Sequence, residues 1–206
     1  MLELFTSAFV TLFVIIDPVG CAPIFAGLTS GASPLEARRT AFKSTLIAAL
    51  ILIFFALFGE RLLGALHIEL DAFRIAGGIM LFLIALEMVF GKRTERREER
   101  AEKIRATPEV EDVSIFPMAI PMLAGPGSIA TVMLLTASAR GTAETLVILA
   151  ALGAVMLLSM LALLAAPSLM RLLGASVEAV ITRLLGLLLA ALAAQYVFDG
   201  VKAMLA

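Results

Sequence analysis

The stretch that decides the fold is IIDPVGCAP, at positions 15–23 near the N-terminus. It puts two prolines, a glycine and a carboxylate into a region that is otherwise mainly apolar from residue 3 to residue 28. Proline removes a helix hydrogen bond and clashes with the preceding turn, so a helix through this region should break here. A second stretch, PMAIPMLAGPGS at positions 117–128, interrupts a later apolar region in the same way. The sequence therefore predicts two broken helices.

Composition indicates the solvent in which these helices lie. Of the 206 residues, 61% are hydrophobic and 16% are charged, and the mean hydropathy is +1.05. A helix that spans a bilayer needs roughly 20 mainly apolar residues, and backbone groups in lipid must be paired within the segment. The sequence thus predicts an all-α membrane protein with the lipid bilayer as its surroundings. Its six transmembrane helices are predicted near 3–28, 41–59, 73–90, 114–138, 145–167 and 179–200.

An internal repeat divides the chain into halves. The motif RLLGA at 61–65 recurs at 171–175, and Arg74 and Gly77 match Arg183 and Gly186 at nearly the same offset. Each half would hold three spans, and an odd number turns the second copy upside down relative to the first. We therefore expect two inverted three-helix repeats, with the breaks in the first and fourth helices. The predicted units are repeat 1 at 1–91, a charged cytoplasmic connector at 92–112 and repeat 2 at 113–206.

The distribution of Lys and Arg predicts the orientation. With the N-terminus outside, twelve of these residues fall on the cytoplasmic side and four on the outer side, which agrees with the positive-inside rule. We expect a multi-pass protein of the cell inner membrane with both termini outside the cytoplasm. The connector region 91–112 has seven basic and seven acidic residues. Such balanced charge is typical of a solvated segment, and a docking site for a partner is the alternative.

The two breaks carry the predicted chemistry. A broken helix is tolerated in lipid only where it is buried in protein or lines a wet cavity. In inverted repeats the N-termini of both half-helices would point at the centre, where their free N–H groups favour a carboxylate. Asp17 would pair with a substrate ammonium or a sodium ion, or take up a proton and couple transport to protons. The predicted substrate-binding residues are Asp17, Pro18, Gly20, Pro23, Pro121, Gly125, Pro126, Gly127, Ser128 and Thr131.

Several classes of function are not expected. Cys21 is the only cysteine and His67 the only histidine, so neither a disulfide within the chain nor a Cys/His metal cluster can form. Isolated carboxylates and one histidine supply no nucleophile and base pair, so we predict no catalytic residue, no metal site, no cofactor and no enzyme. A net charge of −1 argues against a nucleic-acid partner. The sequence leaves open whether the chain forms a homo-oligomer.

Three stretches together resemble a known family. The motif DPVG at 17–20 through Pro23, RIAGG at 74–78, and the region from Pro117 to Thr131 with its AGPG core look like signatures of the MarC family of integral membrane proteins. The resemblance runs over the whole chain and implies six membrane helices and kinship with exporters and permeases of the amino-acid exporter type. Some members are described as transporters of small neutral amino acids.

The expected function is secondary transport of small polar solutes, with small neutral amino acids as the substrate class. Two alternatives come from other classes. One is an ion channel or cation exporter in which Asp17 binds a metal or sodium ion. The other is a membrane scaffold that transports nothing, in which the prolines and glycines of the two breaks shape packing.

Overall fold

The protein is described by a computed structural model that covers the backbone of residues 1–105 and 112–205. Side chains are described over these ranges except at 100, 101, 103–105, 170–176 and 178. The predicted connector therefore lies partly outside the described residues, as do the side chains of the second RLLGA motif. The helices are α1 (Leu2–Ile16), α2 (Pro18–Leu28), α3 (Pro34–Ala65), α4 (Leu70–Val89), α5 (Lys92–Arg105), α6 (Pro126–Ala137), α7 (Thr142–Leu164) and α8 (Ala166–Leu205). An irregular helical stretch, Ser114–Leu123, precedes α6 and is called the wide-turn segment below.

The described residues are almost entirely helical, as the sequence predicts. Five helical stretches are long and apolar enough to cross a membrane, and α1 with α2 counts as one of them. The wide-turn segment and α6, which bend by 52° at their junction, together make a possible sixth. The predicted all-α membrane architecture is confirmed, and the six predicted spans compare with five to six candidates by length and composition.

The outer surface of α3 shows why the protein needs a lipid environment. Large apolar side chains recur along one face of this helix at spacings of three and four residues and are 44–58% exposed. An apolar stripe of this length in water would be an unusual liability for a soluble chain. These side chains are Phe42, Leu46, Leu50, Phe54, Leu57, Phe58 and Leu62.

Helix α3 begins before the predicted span because its first turn is built to start a helix. The Ser33 hydroxyl accepts a hydrogen bond from the Glu36 amide at 3.3 Å, and the Glu36 carboxylate accepts one from the Ser33 amide at 2.8 Å. This reciprocal capping box, followed by Pro34 at the first helical position, fixes the start of the helix. The predicted span began at residue 41 because charge marked its end, whereas the helix itself continues into its charged first turns.

Glycines bring α4 and α8 into close antiparallel contact. A Cβ atom on Gly78 would lie 2.9 Å from the Ala193 carbonyl oxygen, and one on Gly200 would lie 3.0 Å from the Asp71 carbonyl oxygen. Neither backbone can move aside easily, so both positions require glycine. Small residues at such crossings permit the close backbone approach that drives association of helices in membranes.

We expect Gly78→Val to destabilise the protein by separating α4 from α8. The added side chain would overlap backbone atoms of α8, and overpacking of this kind typically costs about 1–3 kcal/mol. Thermal unfolding of the purified protein in detergent would measure the loss. Gly64→Val is the matched control, because a Cβ atom there meets no other atom within 4 Å. Equal melting temperatures for the two variants would contradict the role of Gly78.

The two interrupted spans pack inside the bundle. Helices α1 and α2 contact α7 and α8, whereas α6 contacts α3 and α4. Their buried apolar side chains belong to the main core, including Leu12 and Ile16 from α1 and Met122 and Leu123 from the wide-turn segment. The first break is therefore enclosed by protein, whereas the second is buried on one side and leaves Phe116, Ile120 and Pro126 exposed on the other.

Candidate functional site

The first break is built around Asp17. This residue adopts a left-handed conformation, with φ 57° and ψ 65°, which ends α1 and starts α2. Its backbone N–H donates to the Phe13 carbonyl at 2.9 Å, and its carboxylate Oδ1 accepts from the Gly20 N–H at 3.0 Å. A Cβ atom on Gly20 would lie 2.3 Å from Asp17 Oδ2. Glycine at position 20 thus leaves the room in which the Asp17 carboxylate caps α2.

The second break lies between the wide-turn segment and α6. Phe116 and Ile120 have extended backbone angles within this segment, as expected for residues that precede proline. Where the chain turns into α6, a Cβ atom on Gly125 would lie 2.4 Å from the Pro121 carbonyl oxygen. Only glycine fits this close approach, so Gly125 and Pro121 together shape the break.

The N-terminus of α6 is open, in contrast to that of α2. Gly125 supplies no side-chain cap, and the first backbone bond runs from the Ile129 N–H to the Gly125 carbonyl at 3.0 Å. The N–H groups of Gly127 and Ser128 are therefore available, as is usual for the first turn of a helix. The Ser128 side chain is only 3% exposed, and its hydroxyl has no partner among the described residues.

Helix α5 supplies two arginines to the first break. Arg97 Nη1 lies 3.1 Å from Asp17 Oδ2, and both side chains are buried or nearly so, at 12% and 2% exposure. Arg93 Nη2 donates to the Ile15 carbonyl at 2.7 Å, and Arg93 Nη1 lies 2.9 Å from the Met88 sulfur. Because the Ile15 carbonyl belongs to the last turn of α1, Arg93 satisfies a group that the break leaves without a helical partner.

A cavity of about 140 Å³ lies between the two breaks. One side is formed by the start of α6 and the end of the wide-turn segment, and the other by the last turns of α1 and α4 with the first turns of α5. Its only carboxylate among the lining residues, Glu87, lies 2.6 Å from Arg96. The lining residues are Ile15, Ile84, Glu87, Arg93, Arg96, Arg97, Pro121, Met122, Gly125, Pro126, Gly127 and Ser128.

The cavity is electrically positive. Of the three arginines that line it, Arg96 pairs with Glu87 and Arg97 pairs with Asp17. The charge of Arg93 is left over, and the start of α6 adds roughly half a positive charge. Burial, together with the neighbouring Arg97, lowers the pKa of Arg93 to about 10, so its guanidinium is still charged at neutral pH. Arg93 has no carboxylate partner among the described residues, and its two hydrogen-bond acceptors are neutral.

Five of the predicted site residues line this cavity: Pro121, Gly125, Pro126, Gly127 and Ser128. Asp17 lies behind Arg97, which is its partner, and Pro18 and Gly20 form the buried first turn of α2 beside it. Pro23 lies further along α2 and does not line the cavity. Thr131 lies one turn beyond Ser128 and is fully buried, and its hydroxyl has no hydrogen-bond partner in the part of the chain that the structure describes.

The sequence analysis missed Arg93, Arg97 and Glu87 as parts of the site. The two arginines are four residues apart and so share one face of α5, but the same spacing is common in solvated helices. Arg96 and the other charges around them gave no sign of which face would be buried. Two features of the sequence could have indicated them. The Asp17 carboxylate needs a cation, and the connector is the region of the chain with the most Lys and Arg.

Comparison with known proteins places these features in a family. The model of the MarC family of integral membrane proteins matches residues 2–205. The chain belongs to the MarC family. A UPF0056 membrane protein of Methanocaldococcus jannaschii is 38% identical over 204 residues, which cover 99% of this chain and 98% of the relative. A UPF0056 membrane protein of Aquifex aeolicus is 38% identical over 202 residues, which cover 98% and 94%.

Another relative matches over a shorter stretch. The UPF0056 membrane protein YhcE of Escherichia coli is 36% identical over 123 residues, which cover 60% of this chain and 57% of the relative. No solved structure matches this member of the MarC family. The family assignment predicted from the DPVG, RIAGG and AGPG motifs is confirmed.

Proposed function

We propose that this MarC family protein is a secondary transporter of small polar solutes, with small neutral amino acids as its substrates. The observation that carries the proposal is a cavity lined by the second break and by Ile15 at the end of α1, with the charged side chains of Arg93, Arg96, Arg97 and Glu87 beside them. Paired interruptions around a central site are the pattern by which transporters of this kind bind solutes. An engineered cavity of about 150 Å³ accommodates benzene, so a cavity of this size suits a solute as small as alanine or serine.

The proposal includes two inverted repeats. Support comes from the exchange of packing between halves: the first interrupted span contacts α7 and α8, and α6 of the second contacts α3 and α4. Helices α4 and α8, which would be equivalent, run antiparallel along the contacts made by Gly78, Gly186 and Gly200. An axis in the membrane plane relates equivalent helices in this antiparallel manner.

The proposed orientation puts both termini outside the cytoplasm in the inner membrane, as the excess of Lys and Arg in the cytoplasmic loops favours. Helix α5 then closes the cavity on its cytoplasmic side through Arg93 and Arg97. Transport would require α5 to move away from Asp17 and Ile15 in part of the cycle. A proton gradient is one proposed source of energy for that cycle.

A cation exporter is less well supported than an amino-acid transporter. A metal or sodium ion would enter a cavity lined by three arginines, whose like charge repels it. Asp17, the proposed ligand in that alternative, has Arg97 as its partner at 3.1 Å. The described residues contain no group of three or more metal-ligating side chains.

Flux measurements in proteoliposomes test the proposal. We expect labelled alanine, serine or threonine to enter vesicles that contain the purified protein faster than empty vesicles, and a pH gradient to change the rate if protons drive transport. Labelled sodium and rubidium serve as the comparison for a channel or cation exporter. Flux of the cations without flux of any amino acid would favour that alternative, and no flux of either would favour a scaffold.

A further inference from the structure

The two half-helix N-termini of this protein are not alike, and the difference points to a ligand. At the start of α2, the Asp17 carboxylate accepts from the Gly20 N–H at 3.0 Å and pairs with Arg97 at 3.1 Å. The start of α6 faces the same cavity with free N–H groups and no carboxylate. At the start of α2 the chain thus holds a carboxylate between a helix N-terminus and an arginine. The start of α6 has no side-chain carboxylate in the corresponding position.

Ser128 and Arg93 supply the remaining parts of an anion site. Ser128 lines the cavity, is 3% exposed and has a hydroxyl with no partner among the described residues. Because Ser128 lies at the cavity wall, its hydroxyl can bond to whatever occupies the cavity, as donor or as acceptor. Arg93 lines the cavity as a partly buried cation whose hydrogen-bond acceptors are both neutral. A buried charge normally has a charged partner, and the end of α1 offsets only part of it.

We propose that the α6 N-terminus, Ser128 and Arg93 form a carboxylate site, in which the solute's carboxylate takes the position at α6 that Asp17 takes at α2. The proposal rests on the proposed transport function for the identity of the ligand. The N–H groups of Gly127 and Ser128 and the Ser128 hydroxyl donate to the carboxylate, and the Arg93 guanidinium neutralises it. The ammonium group of an amino acid then points away from Arg93, toward Glu87.

Competition against labelled alanine, bound to the purified protein in nanodiscs, tests which chemical group is recognised. We expect propionate, which keeps the carboxylate, to compete, and alaninamide, which keeps only the ammonium, to fail. Arg93→Gln should weaken alanine binding by about 10- to 100-fold, the effect of removing a hydrogen bond to a charged group. Lys92→Gln, an exposed neighbour on the same helix, should leave binding unchanged.

The melting temperature is a second measurement, and it requires no ligand. We expect Ser128→Asp to raise the melting temperature by about 2–4 °C, because its fixed carboxylate would cap α6 and pair with Arg93, and to abolish alanine binding. Ser128→Asn is the uncharged control and should stabilise less. The gain should disappear when Ser128→Asp is combined with Arg93→Gln.

The outcomes separate this site from the transport function. Alaninamide that competes as well as alanine would overturn the carboxylate site while leaving transport intact. A Ser128→Asp variant that is less stable than the wild type, or whose gain in stability persists when it is combined with Arg93→Gln, would overturn it as well. If no amino acid is transported at all, the proposed function fails, and the stability of the Ser128→Asp variants alone still decides whether an anion binds here.

Discussion

Replacing Gly127 by leucine is expected to reduce solute flux to the level of empty vesicles while the protein stays folded. Gly127 lines the cavity in the first turn of α6. A Cβ atom there would lie 2.7 Å from the tip of Ile84 and 3.7 Å from Ile15, so a methyl group requires only that the Ile84 side chain rotate. The longer leucine side chain would occupy the space proposed for the solute.

Two control variants separate blockage from misfolding. Gly127→Ala should retain most of the flux, because the flexible end of Ile84 can yield. Gly153→Leu introduces the same side chain on α7 at a position where a Cβ atom meets nothing within 4 Å, and it should behave as the wild type. Initial rates of labelled alanine uptake in proteoliposomes, with thermal unfolding in parallel, provide both readouts. Wild-type flux in Gly127→Leu would exclude the cavity as the solute path.

The sequence was sufficient to predict the membrane spans approximately and the places where two of them break, although α8 begins at Ala166 rather than near residue 179. Apolar runs of more than 20 residues located the spans, and the prolines and glycines of DPVG and AGPG located both interruptions, because their effects on the backbone are local. The same residues predicted that the second break would line a cavity. The Pro121 carbonyl oxygen closely approaches Gly125, and the Ile84 side chain closely approaches Gly127. Glycine is the residue type that such close approaches favour, so its presence in the sequence indicated them.

The partner of Asp17 could not be predicted in this way. Its cation comes from a residue 80 positions along the chain, on a helix whose charges are balanced overall. Which face of α5 turns inward depends on how α4 ends and where α1 breaks, and neither is encoded within α5. The sequence therefore indicated that Asp17 needs a cation but suggested a ligand, whereas the structure provides Arg97.

Each single substitution at the Asp17–Arg97 pair is expected to lower the free energy of unfolding, and the double substitution is expected to restore most of it. Asp17→Asn retains an oxygen that can accept from the Gly20 N–H, since asparagine caps helices as well as aspartate does. It removes only the charge and leaves Arg97 buried without its partner. Arg97→Gln leaves the Asp17 carboxylate in the same condition. Breaking a buried pair from one side typically costs about 3–5 kcal/mol, a large part of the stability of most proteins.

The double variant Asp17→Asn with Arg97→Gln should recover most of that loss, because two neutral amides can bond to each other and no charge is left unpaired. Chemical or thermal unfolding of the four proteins in one detergent gives the coupling energy directly. Arg96→Gln is the matched control, since Arg96 pairs with Glu87 but is 63% exposed and exposed pairs contribute at most about 1 kcal/mol. If the two single losses simply add in the double variant, the pair does not hold α5 against the break. Helix α5 would then be joined to the bundle mainly through the Arg93 contacts with Ile15 and Met88, and Arg93→Gln alone would release it.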